Sequence, residues 1–398
     1  MRVDLLTREY PPHVYGGAGV HVAELAKVLR KLADVRVLAF DGPRDEPGVT
    51  GYAGPPAGLY PNPALATFDV DLKMAGGAAG ADLVHSHTWY ANLGGHLGGL
   101  LHGVPHVLSA HSLEPLRPWK AEQLGGGYAL SSWAERTAYE GAAAVIAVSA
   151  GMRRDILKAY PFVDPDRVEV IHNGIDLDKW RPQRGVEAAQ AVRRHGIDPE
   201  VPTVAFVGRI TRQKGLPYFL RAVRRLEPGV QIVLAAGAPD TPQIAAEVRD
   251  LVDQLARERQ GVVWIEEMLP QSDLDAILSH ASLFACPSIY EPLGIVNLEA
   301  MACAVPVVAT ATGGIPEVVE DGVTGWLVPI EQVDDGTGTP INPDRFIADM
   351  AETLNRALSD PARLRAFGQA ARRRAEDHFS WQAIGARTVE FYRKVLER

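Results

Sequence analysis

Cysteine is almost absent: two residues, Cys286 and Cys303, in a chain of 398. Two thiols, both in apolar runs, exclude a disulfide framework and fit a reducing compartment. No apolar run is long enough to span a bilayer without a proline or a charge, and no basic amphipathic surface stretch stands out, so neither a membrane span nor a membrane acceptor is expected. The chain enters a strand-like run, Arg2–Thr7, with no secretory leader ahead of it. Net positive charge is also lacking: the formal charge is −9, which speaks against nucleic acid as a partner. Any phosphate site must therefore be a local basic cluster in an acidic protein. These absences together point to a cytoplasmic protein.

What is present is an ordinary globular composition, 46% hydrophobic and 22% charged, spread over a length too great for one core. Short apolar runs alternate with helical stretches through both halves, the pattern of a parallel sheet with crossover helices. Strands are expected at 3–7, 35–39, 82–85, 106–110, 144–148 and 168–171, then at 203–207, 231–235, 262–265, 283–286, 305–308 and 325–328. The Gly- and Pro-rich stretch 41–61 and the Gly- and Asp-rich stretch 330–339 read as surface loops, and 172–182, with Asn-Gly turn chemistry, as the linker. The expected organisation is two Rossmann-like α/β domains facing a cleft: 1–178, completed by 380–398, and 179–379. In open parallel sheets ligands bind beyond the carboxyl ends of strands, so motifs placed just after strands carry the function.

One such motif is Pro287-Ser-Ile-Tyr-Glu-Pro-Leu-Gly-Ile-Val-Asn-Leu-Glu-Ala-Met301. Pro292 suits the first position of a helix. Leu293, Gly294 and Ile295 would then offer backbone N–H groups to an anion. Glu291 and Glu299, eight residues apart, would lie on one side of the helix about two turns apart. N–H groups for phosphate and carboxylates for hydroxyls suit a nucleoside diphosphate-sugar. A capped, solvent-facing glutamate pair is the plainer alternative on spacing alone.

Three further motifs follow strands. Tyr15-Gly-Gly-Ala-Gly19 opens a helix, allowing close approach of backbone to ligand, although its order is not the dinucleotide fingerprint. His111 follows the fifth strand. Gly208-Arg-Ile-Thr-Arg-Gln-Lys-Gly215 sets Arg209 and Lys214 five residues apart in a loop that leads into a helix, with Arg212 a weaker third cation. His85 and His87 look like a metal pair, but no spacing along the chain completes a zinc site. Asp69-Val-Asp71 falls inside a helix and reads as chance. No metal and no cofactor are expected.

The run from Glu291 to Glu299, with Ala300-Met-Ala and Gly313-Gly-Ile-Pro-Glu317, resembles the retaining glycosyltransferases of family 4. Their signature is two glutamates separated by seven residues. From Thr7-Arg-Glu-Tyr-Pro-Pro12 onward the whole chain resembles the actinobacterial glycogen synthase group, which makes α-maltose 1-phosphate. The resemblance implies a GT-B fold whose last helix crosses back to the first domain. It also implies glucose transfer from ADP-glucose to α-glucose 1-phosphate, with α-1,4-glucan extension. It gives Arg209 and Lys214 the leaving diphosphate, Glu291 and His111 the donor sugar, and Glu299 the ribose. Gly17, Gly294 and Ile295 would approach the donor. Val14 stands where starch-type bacterial synthases carry a lysine, so that role is not carried over. Cations near the first-domain site, Arg8, His13, Arg117 and Lys120, together with Tyr15, are candidates to hold the acceptor. Partners are then a sugar nucleotide, a sugar phosphate and glucan, and a homodimer is allowed. The alternatives are an inositol phosphate or lipid acceptor on the same fold, and a non-catalytic sugar-nucleotide binder.

Overall fold

The computed structural model describes residues 1–398 apart from Tyr15, Asp45 and the side chains of Glu122 and Gln123. The chain divides into two compact units, 1–174 with 381–398, and 175–380.

The first unit runs β1 (Arg2–Thr7), α1 (Gly17–Leu29), β2 (Asp34–Phe40), β3 (Val49–Tyr52), α2 (Pro63–Gly77), β4 (Leu83–His87), α3 (Trp89–His102), β5 (His106–Ala110), α4 (Lys120–Leu124), α5 (Gly127–Gly141), β6 (Ala144–Ala147), α6 (Ala150–Ala159) and β7 (Val168–Val170). Among the described residues these strands form one seven-stranded parallel sheet in the order β3-β2-β1-β4-β5-β6-β7. β4 and β5 are buried at every position, as expected of strands covered on both faces. Helix starts follow local chemistry: Asn62 caps α2 with Pro63 at its first position, and Ser149 caps α6 through the Met152 N–H.

The second unit runs α7 (Val186–Arg194), β8 (Thr203–Arg209), α8 (Leu216–Val223), β9 (Gln231–Gly237), α9 (Pro242–Glu258), β10 (Val262–Ile265), α10 (Gln271–His280), β11 (Leu283–Cys286), α11 (Ile295–Ala302), β12 (Val307–Thr310), α12 (Ile315–Val318), β13 (Gly325–Val328), α13 (Pro343–Leu358) and α14 (Pro361–His378). Its sheet has the order β10-β9-β8-β11-β12-β13. The final helix, α15 (Trp381–Leu396), returns to the first unit, where Trp381, Ile384, Phe391 and Tyr392 pack with Val22, Leu25 and Leu29 of α1. In both sheets the strand order reverses beside the first strand of the unit, between β1 and β4 and between β8 and β11. Those switch points are where an open parallel sheet binds its ligands.

Four local expectations are corrected. The stretch 41–61 contains a strand, β3, paired parallel to β2 from Val37↔Val49 to Phe40↔Tyr52. Gly42 and Gly51 permit the close approach there, since a Cβ on Gly42 would lie 2.0 Å from Gly51 O. The strand expected at 305–308 begins at Val307, because Pro306 has no N–H to give the ladder. Helix α11 begins at Ile295, not Pro292: Gly294 has φ 94° and breaks the helical run ahead of it. Helix α7 was not expected; its Ala191 and Val192 pack with Ile197, Val233 and Ile277.

Candidate active site

The donor-side residues of the second unit surround its switch point. The loop leaving β8 ends in a single 3₁₀ turn, Arg212–Lys214, closed by Gly215 at φ 64°. A Cβ on Gly215 would meet Pro287 O at 1.9 Å, so the loop after β8 lies directly on the loop after β11. The Ile289 N–H donates to Gln213 O at 2.8 Å. This contact brings Lys214 Nζ to 2.7 Å from Glu291 Oε2, and Ser288 Oγ donates to the same oxygen at 3.1 Å. Burial alone would lower the Lys214 pKa; the Glu291 charge, the Cys286 sulfur and the hydrogen bond to Glu291 together outweigh it and leave the ammonium raised above its ordinary value. Arg209 turns toward Asp240, with Nη1 3.2 Å from Oδ1, yet its charge still acts on Lys214. Arg212 is exposed.

Glu291 is buried, at 6% exposure, so the solvent-facing alternative fails for it. Its carbonyl accepts from the Gly314 N–H at 2.9 Å. Gly313, at φ 56°, leaves that carbonyl room that a Cβ, 2.0 Å away, would fill. Gly294 caps α11, and the first N–H groups of a helix favour negative charge. Glu299 is half-buried in α11, and burial raises its pKa to about 8 against the opposing charges of Lys179 and Lys214.

Three residues near this site were missed from sequence. Ser288 shares the Glu291 carboxylate. Asn297 is fully buried, with neither side-chain polar atom partnered among the described residues. Gln332, in the stretch read as a plain surface loop, donates to Ile289 O and Gly338 O, both at 2.6 Å, and accepts from Thr312 Oγ1 at 3.1 Å. That stretch therefore fastens the turn that carries Glu291. Only the Glu-Pro-Leu-Gly pattern signalled the turn itself; nothing along the chain pointed to Gln332.

The first unit gathers its candidates at its own switch point. Arg8, just after β1, stacks over the Tyr90 ring at 4.0 Å. Glu9 was missed: its Oε2 accepts from the Gly16 N–H at 2.8 Å, setting a carboxylate at the start of α1, beside Gly17. His13 is exposed. Tyr15 lies outside the described residues. His111 is half-buried and shares a hydrogen bond, Nε2 to His87 Nδ1, at 3.0 Å; burial lowers its pKa to about 4. His85 is structural, with Nδ1 2.6 Å from Tyr392 OH and Nε2 2.8 Å from Ser109 Oγ. His87 is not merely paired with it: His21 of α1 and His111 both come up against His87. The chain-spacing argument did not see this group because its members come from three separate elements. Thr88, next in sequence, holds φ at 64°, a strained value for a β-branched residue.

Arg117 is tied to its own segment, with Nη1 3.0 Å from Ser112 Oγ and 3.7 Å from Glu114 Oε1. Lys120 is 7% exposed. Glu114 in turn belongs to a buried set: Ser131 Oγ donates to its Oε2 at 2.6 Å, and its own N–H donates to Glu135 Oε1 at 2.9 Å. Burial, then the Glu114 charge, raises the Glu135 pKa. Asp69 and Asp71 lie in α2, where Asp69 pairs with Lys73 at 2.5 Å. Among the described residues no helix is long and apolar enough to cross a membrane.

Residues 15–179 match the family model described as Glycosyltransferase Family 4, and residues 188–374 match Glycosyl transferases group 1. An alpha-maltose-1-phosphate synthase of Mycolicibacterium smegmatis is 56% identical over 395 residues, 99% of this chain and 100% of that protein. One from Mycobacterium tuberculosis is 53% identical over the same shares. Among solved structures, sucrose-phosphate synthase from Thermosynechococcus elongatus has a TM-score of 0.77 at 23% identity, covering 100% of this chain and 99% of that one. Anabaena HepE, in complex with UDP-glucose, also scores 0.77 at 22% identity, covering 99% and 100%. These neighbours share the GT-B arrangement of two parallel-sheet α/β domains. With both family models matched in order and full-length relatives above half identity, the chain belongs to the Glycosyltransferase Family 4 enzymes and is a glycosyltransferase.

Proposed function

We propose that the enzyme moves glucose from ADP-glucose to α-glucose 1-phosphate with retention, forming α-maltose 1-phosphate, and extends α-1,4-glucan as a secondary activity. The observation that carries this reading is the match, over whole length and above half identity, to relatives named for that product. The geometry of the second unit supports the donor chemistry of this reading. Lys214, Arg209 and the N–H groups of Gly294 and Ile295 receive the diphosphate as its bond to C1 breaks. Preorganised cations of this kind contribute roughly 10²–10³ in rate each, which gives an acidic protein a way to hold the leaving group without a metal ion. Lys214 and Ser288 occupy Glu291 Oε2, leaving Oε1 for glucose hydroxyls. Glu299 takes the ribose hydroxyls.

Glu299 does not serve as a second sugar carboxylate. Retaining glycosidases need two carboxyl groups about 5 Å apart; Glu299 sits on the second turn of α11, beyond the Gly294 break, and carries a raised pKa. The acceptor O4 attacks C1 on the face the diphosphate leaves, and its proton passes to the departing phosphate oxygen. In the first unit this reading assigns His111 to the donor sugar, and Arg8, His13, Tyr15, Arg117 and Lys120 to the acceptor. The two cysteines are buried and unpaired, in keeping with work in the cytoplasm.

The test incubates the purified enzyme with ADP-glucose or UDP-glucose, each with glucose 1-phosphate or glycogen. A disaccharide phosphate from ADP-glucose and glucose 1-phosphate, identified by mass, is the expected result. Extension of glycogen alone would overturn the acceptor assignment. Donor binding without transfer to either acceptor would overturn the reaction.

A further inference from the structure

His21, on the second turn of α1, His87, the last residue of β4, and His111, just beyond β5, converge in the first unit. One ring nitrogen from each lies within 4.8 Å of the other two. Ring centroids are 4.6 Å apart for His21–His111, 5.3 Å for His87–His111 and 5.5 Å for His21–His87. His21 is 4% exposed and His87 fully buried.

A structural histidine in a core has its nitrogens satisfied, as the adjacent His85 does through Tyr392 and Ser109. Here both nitrogens of His21 and Nε2 of His87 are buried without a hydrogen-bond partner among the described residues. Asn173 lies close enough to His21 to act on its ring, and its own Oδ1 is buried and unpartnered among the described residues. The cluster thus gathers three imidazoles within ligating reach of one another, with three of their ring nitrogens unsatisfied among the described residues.

We infer that His21, His87 and His111 form a binding site for a divalent transition-metal ion of the zinc class. Three imidazoles with a fourth position open are a familiar donor set for Zn²⁺, at Zn–N distances of about 2.0–2.1 Å. Nitrogen ligands select such ions over Mg²⁺ and Ca²⁺, which prefer oxygen. His87 Nδ1 and His111 Nε2 already stand 3.0 Å apart, joined by one proton. An ion replaces that proton, and modest rotation of His21 closes the third bond. The fourth position falls to water or to Asn173 Oδ1. The site lies in the first unit, whereas Lys214 and Arg209 belong to the second. Its effect on transfer rests on the role given to His111 above: an ion holding that ring arrests the reaction, so the site is inhibitory.

The test strips the full-length protein with a chelator and titrates it with Co²⁺, followed by visible absorption, and with Zn²⁺ by equilibrium dialysis. One ion per chain with Kd below about 10 µM, and at least tenfold weaker binding in both His21→Gln and His87→Gln, is the expected result; His102→Gln, remote from the cluster, should bind as wild type does. Circular dichroism and thermal unfolding establish that the variants are folded. Zinc-edge X-ray absorption on the wild-type protein, which counts imidazole ligands, tests the site with no variant at all. No binding below about 1 mM, binding unchanged in both variants, or a zinc shell without three imidazoles would overturn the inference. Binding with undiminished transfer would overturn only its inhibitory role, and absence of glucose transfer by the metal-free enzyme would count against the function proposed above, not against the metal site.

Discussion

Lys214 Nζ donates to Glu291 Oε2 across 2.7 Å, and this ion pair joins the loop after β8 to the loop after β11. Each partner holds the other at the switch point of the second unit before any donor arrives. The pair is largely shielded, with side chains 20% and 8% exposed, so removing one partner strands a charge.

Lys214→Ala should lower kcat by about 10²–10³ and destabilise the second unit by about 3 kcal/mol. Adding Glu291→Gln should cost less stability than the sum of the two single changes, because the second substitution removes the stranded charge. Steady-state kinetics and denaturant titration of the three variants check this. Strict additivity would mean the pair does not couple.

Gly313→Ala should damage catalysis through backbone position. The new Cβ meets Glu291 O at 2.0 Å, at φ 56° where an L side chain is strained. We expect kcat to fall at least tenfold with circular dichroism unchanged. A kcat within twofold of wild type would show that the Glu291 turn tolerates displacement.

Glu299 predicts a pH dependence of stability. Its folded pKa is raised to about 8 by burial, above the ordinary glutamate value of about 4.3. Between those two values the folded chain keeps a proton that the unfolded chain has lost, so stability falls as pH rises through that window. Other buried carboxyl groups share the direction, Glu135 and Asp275 among them. The diagnostic quantity is therefore a difference: Glu299→Gln should gain in Tm relative to wild type from pH 5 to pH 8.5. A constant offset would place the Glu299 pKa near its ordinary value.

Lys120 and Arg117 should separate in kinetics. Lys120 is buried to 7% exposure beside the His111 segment, and Lys120→Ala should raise KM for glucose 1-phosphate about tenfold with kcat little changed. Arg117 is already engaged by Ser112 and Glu114, so Arg117→Ala should also lower Tm. An unchanged KM in Lys120→Ala removes that residue from the acceptor site.

Much of the fold was legible because buried parallel strands are continuous apolar runs: 106–110 and 283–286 agree with the structure to the residue. What escaped detection had a physical reason in each case. Val49–Tyr52 hid in a Gly- and Pro-rich stretch because two glycines are what let that strand approach. Pro292 looked like a helix start, but the left-handed Gly294 decides the boundary. The site was legible where its residues are neighbours in sequence, as with Glu291 and Gly294. It was not where they meet only through topology: Gln332 reaches Ile289 from 43 residues away, and His21 meets His111 from across two βα crossovers.

The return of α15 to the first unit inverts the order in which the chain can finish folding. Residues 175–380 form the second unit entirely from contiguous sequence, whereas the first, although begun earliest, waits for 381–398. During synthesis the apolar face of α1, with Val22, Leu25 and Leu29, stays uncovered until Trp381, Phe391 and Tyr392 leave the ribosome. Through that interval the nascent chain carries a first unit whose strands are all present but whose α1 face is bare, the kind of apolar surface that chaperones bind.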